Sequence, residues 1–241
     1  MKSRMSAGIF VVCGILALPA VFASTPGDQA AFLQRYKGTP FADSHYQTSP
    51  QRLPGRVDCA AYDDGGEGVA YHDSDAINHG SGQLNPANGS YLNEFRIHDG
   101  VDLSYTKFPT APGKDAIDNS PYNLVTPPAD QLYVGWTEPG EWFNLTVDVA
   151  SAGMYTADLL YTSNRGGSIS IDVNGQDATG PISIPTTFSS ADPIAWRQWH
   201  HWNRLQNAVK LDLGAGRNVL TVHIVTGGNM NLAYFDFRPT G

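Results

Sequence analysis

Residues 141–163 read EWFNLTVDVASAGMYTADLLYTS, and the first half of that stretch alternates with period two. Phe143, Leu145, Val147 and Val149 share one face, while Trp142, Asn144, Thr146 and Asp148 share the other. Tyr155, Ala157, Leu159 and Tyr161 repeat the pattern. A stripe of this period cannot lie on one side of a helix, so both segments are expected to be strands with one face buried. Working outward, Ile169, Ile171 and Val173 run into Asn174-Gly175, the dipeptide that most favours a two-residue hairpin turn. Val209, Leu211 and Leu213 precede Gly214-Ala215-Gly216, Leu220, Val222 and Ile224 follow it, and Leu232, Tyr234, Phe235 and Phe237 close the chain. Shorter runs upstream, GEGVAYHD (66–73) and DGVDLSYT (99–106), have the same character. No stretch of ten residues carries a helical period. The expected fold is all-β, a jelly-roll β-sandwich of two packed sheets with long loops and an N-terminal extension.

The ends of the chain read differently. Met1–Arg4 carries Lys2 and Arg4, residues 7–22 are apolar, and Val21-Phe22-Ala23 is a small-x-small site before Ser24. Residues 1–23 are therefore expected to be a secretory signal peptide, the apolar run with its Pro19 being shorter than the ~20 residues that span a bilayer. The expected localisation is secreted or periplasmic, with no membrane attachment after cleavage. Cleavage removes Cys13 and leaves Cys59 alone, so stability has to come from packing rather than a disulfide. Residues 24–52 have no sustained period and are expected to form an extended leader, and 53–238 a single domain that acts as a monomer. Within it, 77–130 is long, polar and rich in turn residues, a loop-rich insert of the kind that walls binding sites. The formal net charge of −8 argues against nucleic acid, whose binding draws on a basic patch. An aromatic content of 11% with only 16% charged residues suits a neutral partner.

Six segments, LPGRVDCAAYDDGGEGVAYHD (53–73), DGVDL (99–103), YVGWTEPGEWFNLTVDVASAGMYT (133–156), SISIDVNGQDATGPISIP (168–185), WRQW (196–199) and GGNMNLAYFDF (227–237), resemble in order and spacing the family-6 carbohydrate-binding modules. The resemblance implies a non-catalytic jelly roll that binds a polysaccharide or oligosaccharide among the loops at one end of the sandwich. It places the family's clasping aromatics on Trp136 and Trp196 and its hydroxyl-bonding asparagine on Asn231. The chemistry agrees: a pyranose has an apolar C–H face that a flat ring covers and a rim of hydroxyls that an amide or carboxylate bonds. Trp142, Trp199 and Trp202, by the same reading, are scaffold. The resemblance also implies a structural calcium, but its ligand positions read Asp58, Ala60 and Ala233. Only Asp58, with Asp236 as a second candidate, is left for a cation that wants six or more oxygens.

Glu67, His72 and Asp73 are further candidates for bonding sugar hydroxyls. His200-His201 is a poor metal pair, because neighbours on a strand point to opposite faces. No G-x-S-x-G, HExxH or phosphate-binding glycine loop occurs, and the carboxylates form no recognisable glycosidase pair. Two alternatives stand beside the binding module: a polysaccharide-active enzyme that uses the insert, and an adhesion protein of the cell envelope.

Overall fold

The computed structural model describes residues 26–47, 49–111 and 113–240; the expected signal peptide, residues 1–23, lies outside the described residues. In chain order the strands are β1 (Gln51–Leu53), β2 (Gly55–Asp58), β3 (Tyr71–His72), β4 (Ser81–Gly82), β5 (Asn85–Pro86), β6 (Leu103–Tyr105), β7 (Leu132–Val134), β8 (Trp142–Val149), β9 (Gly153–Ser163), β10 (Gly167–Val173), β11 (Gln176–Asp177), β12 (Ile182–Ile184), β13 (Asn203–Leu213), β14 (Gly216–Gly227) and β15 (Met230–Pro239). Among the described residues, one α-helix, α1 (Pro26–Arg35), precedes them. The first large sheet runs β1-β8-β14-β10-β11, with β3 on β8 and β12 on β10. The second runs β13-β9-β15-β7-β6, with β2 on β15.

The two halves of residues 141–163 thus lie in opposite sheets, β8 in one and β9 in the other. Their apolar stripes meet in the middle. Phe143, Leu145, Val147 and Val149 join Ile169, Ile171, Val173, Leu220, Val222 and Ile224 from the first sheet. Tyr155, Ala157, Leu159 and Tyr161 join Val209, Leu211, Leu213, Leu232, Phe235 and Phe237 from the second. Cross-strand register pairs like with like, Leu220 beside Leu145 and Phe235 beside Leu159, which is how a sheet face becomes continuous. The expected jelly-roll sandwich is what the chain forms. Asn174-Gly175 makes the hairpin turn its sequence predicts, with both residues at positive φ (51° and 76°).

The outer faces are covered too. A register shift in β15 between Leu232 and Tyr234 lets Ala233 and Tyr234 both turn outward. There they build a second apolar cluster with Tyr133, Leu160 and the fully buried Trp202. Val125 of the insert caps that cluster, and the Leu124 and Val125 amides both donate to the Trp202 carbonyl, at 2.9 and 3.0 Å. Residues 118–125 are therefore held against the second sheet, Asp118 through its bond from Trp202 Nε1.

The leader corrects one expectation. Residues 26–35 are helical rather than extended. Helix formation without a strong apolar period depends on tertiary packing, and here Phe32 supplies it by resting on Gly175, where an added Cβ would clash with its ring. Tyr36 Oη donates to Asp63 Oδ2 at 2.7 Å, and Asp63 in turn accepts from Thr146 on β8. The end of the leader is a strand: β1 pairs in parallel with β8, Gln51 beside Val147. The single cysteine of the described residues, Cys59, is buried and free.

Candidate functional site

Trp136 sits in the turn between β7 and β8 with φ +48°, a left-handed conformation that costs an ordinary side chain ~1–2 kcal/mol. Two contacts hold it there. Its amide donates to Asn231 Oδ1 at 3.3 Å, and the Thr137 hydroxyl donates to the Met230 carbonyl at 3.2 Å. Gly135 lets the backbone come close here, since a Cβ would stand 2.9 Å from Asn231 Oδ1 and force the buried asparagine to shift. The Val-Gly-Trp pattern thus records a backbone pressed against the entry of β15.

Trp196 lies in a short 3₁₀ turn, Ala195–Arg197, between β12 and β13. Beneath it, Arg197 forms a two-pronged ion pair with Asp192, at 2.6 and 2.9 Å, and donates to the Ala116 carbonyl of the insert. The Asp192 carboxylate is fully buried and also meets His201 Nε2 at 3.0 Å. The Arg197 hydrogen bonds, against the cost of desolvation, hold its pKa well below the usual carboxylate range. The brace leaves the Trp196 ring 54% exposed. An indole this exposed on a rigid turn contributes little to the core.

Trp136 and Trp196 line one cleft of about 570 Å³, with Trp199, Tyr133, His200 and, from the insert, Leu84, Lys107, Ile117 and Asp118. His200 is its buried hub. Its ring centroid lies 5.4–6.4 Å from those of Trp199, Trp202, Tyr133 and Trp196. The tautomer follows from the partners. Asn231 Oδ1 accepts from Trp136, so its Nδ2 can only donate, to Thr162 Oγ1 at 2.9 Å and to His200 Nδ1 at 3.0 Å. His200 then carries its proton on Nε2 and donates it to Asp118 Oδ1 at 2.6 Å. Asp118 also accepts from Trp202 Nε1 at 2.7 Å and from the Lys107 amide at 2.6 Å. One hydrogen-bonded chain, Asp118–His200–Asn231–Trp136, ties the insert, the β13 approach, β15 and the tryptophan turn together.

A second cavity of about 430 Å³ adjoins the first and shares Trp136 and Leu84 with it. Its lining is acidic: Asp73, Asp75, Asp102, Glu138 and Glu141, with His79. Burial, with help from Glu141, pushes the Asp73 carboxyl up to about 7 and the Asp102 carboxyl up to about 6. Burial likewise raises Glu141.

Of the residues singled out from sequence, the structure brings Trp136 and Trp196 together and places Asp73 next door. Asn231 is buried, and its amide is spent on Trp136, Thr162 and His200, so it faces the protein rather than the cleft. Glu67 and His72 pair with each other at 2.5 Å in exposed positions and line neither cavity. Trp199, expected as scaffold, lines the cleft; the strand that would have buried it begins only at Asn203. Trp202 is scaffold as expected, while Trp142 is half-buried and lines a groove with Phe32 and Arg35 of α1. Lys107, Ile117, Asp118 and Leu84 had no signal beyond their place in the insert, because the spacing of loop residues does not tell which wall they will join.

The residues present do not fit the calcium cage that the resemblance implies. Asp58 Oδ1 accepts from Arg56 Nε at 2.7 Å and Gln131 Nε2 at 3.1 Å, and Oδ2 from Tyr46 Oη at 3.1 Å. Ala60 and Ala233 are buried and offer no side-chain oxygen, and Asp236 stands opposite Arg56 in the β2–β15 ladder. Among the described residues no cluster of three or more His, Cys, Asp or Glu could hold a metal. The Arg56 guanidinium supplies the positive charge at Asp58.

Residues 116–239, just over half of the chain, match the family model described as carbohydrate binding module (family 6). No curated protein sequence matches the chain. Several solved structures are similar at low identity. A family 6 module of Clostridium stercorarium in complex with cellobiose is 10% identical, with 80% of this chain and 98% of that one covered and a TM-score of 0.45. A module of Cellvibrio mixtus lichenase 5A in complex with cellotriose is 21% identical, with coverage of 58% and 88% and a TM-score of 0.38. A glycoside hydrolase family 43 arabinoxylan arabinofuranohydrolase from Bacillus subtilis is 14% identical over 83% of this chain, which spans only 30% of that enzyme, with a TM-score of 0.41.

Proposed function

The chain belongs to the family-6 carbohydrate-binding modules, and we propose that it is a secreted or periplasmic monomer that binds a plant or algal type of polysaccharide without cleaving it. The observation that carries this reading is the 570 Å³ cleft with Trp136 and Trp196 on its walls and a buried hydrogen-bonded chain behind them. A sugar ring that enters puts its C–H faces against indoles that already sit in place, so little ordering cost is added on binding. With about 2.5 kcal/mol per ring stack before association costs, two stacks support affinities between roughly micromolar and millimolar. Asn231 acts here as a positioning residue for Trp136. Hydroxyl recognition falls to groups on the rim, among them Lys107 and the acidic cavity beside Trp136.

Affinity electrophoresis against xylan, laminarin, cellulose, lichenan and agarose, followed by titration calorimetry on the retarding polymer, tests the proposal. Retardation by none of them, with binding to a protein instead, would favour the adhesion reading. A second reading, hydrolysis by carboxylates of the acidic cavity, draws on the raised Asp73 and Asp102, since a carboxyl protonated near neutrality is what a general acid needs. Release of new reducing ends from the same polysaccharides would establish it.

A further inference from the structure

Lys107 is the one cation that lines the aromatic cleft. Its ammonium packs 4.3 Å from the centre of the Tyr105 ring and, among the described residues, donates to Ser104 Oγ at 3.3 Å and the Tyr105 carbonyl at 3.4 Å. Both bonds are long for a charged donor, which in a satisfied pair closes to ~2.7–2.9 Å. Ser104 Oγ is shared with Asn85 Nδ2, so it is not the lysine's alone. The carboxylate that shares the cleft, Asp118, favours the charged ammonium through space but makes no direct bond to it, its oxygens being taken up by His200, Trp202 and the Lys107 backbone amide. No ion pair forms at Lys107 among the described residues, and burial draws its pKa down against the upward pull of Asp118. A half-buried ammonium beside aromatic rings, with protein partners at the limit of hydrogen bonding, is complementary to an anion on the ligand.

The neighbouring cavity adds a constraint. Its five carboxylates begin on the other side of Trp136 and oppose any second negative charge there. On the premise that the cleft binds a glycan, as argued above, we propose that it selects a chain in which isolated anionic sugars are set among neutral ones. The anionic substituent, a uronate carboxylate or a sulfate ester, pairs with Lys107, and the adjoining neutral unit lies toward Asp73, Asp102 and Glu141. A polyuronide, charged at every unit, is disfavoured by the same arrangement.

The test is titration calorimetry with matched probes. These are a xylooligosaccharide bearing one glucuronate and its undecorated counterpart, a galactan oligosaccharide bearing one sulfate and its unsulfated counterpart, and an oligogalacturonate. The expected result is at least about tenfold tighter binding of one decorated member over its neutral partner, as for a hydrogen bond to a charged group. Which pair shows the preference distinguishes uronate from sulfate. The preference is expected to shrink in 0.5 M salt by a clear margin, to fall to near unity in Lys107→Met, and to survive in Lys107→Arg, with thermal melts verifying that both variants are folded. Equal affinity for decorated and neutral members overturns the proposal while leaving glycan binding in place, and so does a preference that persists in Lys107→Met. Tightest binding of the oligogalacturonate overturns the spacing argument. Absence of binding to every probe, together with failure to be retarded by any polysaccharide, overturns this proposal and the carbohydrate reading at once.

Discussion

Trp196→Ala isolates the ligand-facing ring from the fold. The side chain is 54% exposed, so of the ~200–250 Å² that an indole can bury, about 120 Å² faces the cleft or solvent. A sugar face covering ~80–100 Å² of it, at ~25 cal/mol per Å², is stabilised by about 2–2.5 kcal/mol. Removing the ring should raise Kd roughly 30- to 60-fold. Stability should change by less than ~1 kcal/mol, because the Arg197–Asp192 pair that shapes the turn does not involve the indole. The assay pairs calorimetric titration of the retarding glycan with thermal melts of the same samples. A Kd within about threefold of wild type, or an early melt with normal binding by the folded fraction, would mean that Trp196 plugs the sandwich end and that the glycan binds elsewhere.

Four other outcomes are expected. Asn231→Ala strips partners from the Trp136 amide, Thr162 and His200 in a buried site; it should cost ~2–3 kcal/mol of stability in denaturant melts and also weaken binding, and full affinity in the folded variant would refute its positioning role. Trp202→Ala empties a fully buried site and orphans Asp118, for an expected loss of ~3–5 kcal/mol; an unchanged urea midpoint would contradict the second apolar cluster. Burial pushes the Asp73 and Asp102 carboxyls up to about 7 and about 6 in the folded protein, well above the ordinary carboxylate range. Being raised, they leave stability intact below about pH 4 and erode it as pH climbs through 6 to 7, by ~1 kcal/mol each once screening at partly exposed positions is allowed for. Asp73→Asn should remove its share of that slope in urea melts at pH 4.5 and 8, and a profile parallel to wild type would sink the assignment. Chelator should leave the melting temperature unchanged, since the Asp58 carboxylate already accepts from Arg56 and Ala60 and Ala233 bring no side-chain ligand; a fall of about ten degrees or more would reveal a bound cation stabilising the native state.

How much of this was legible in the sequence follows from the range of the forces involved. Period-two alternation in 142–149, 155–161 and 169–173 is a local signal, because successive side chains of a strand point to opposite sides whatever surrounds them. It determined the class of fold, the inward faces and the Asn174-Gly175 turn. Trp136 and Trp196 stand out through the resemblance to the family's motifs and not through alternation, which leaves Trp142 off the apolar stripe as well. Local pattern did not reveal that β8 and β9, adjacent in sequence, belong to opposite sheets; that depends on which edges find partners. Nor did it show residues 26–35 as a helix, whose order rests on Phe32 meeting Gly175 more than a hundred residues away. At the cleft the division is sharper. Asn231 was noticed for its type, but its burial and its three partners arise from Thr162, His200 and Trp136, brought together by β9, the β13 approach and the β7–β8 turn. Asp118 and Lys107 sit in a stretch with no period, and only its docking against Trp202 puts one under the aromatic cleft and the other on its wall. Charge compensation is a property of neighbours in space, so the tertiary structure alone could show Asp118 and Asp58 bound by several donors and Lys107 without a direct ion pair among the described residues.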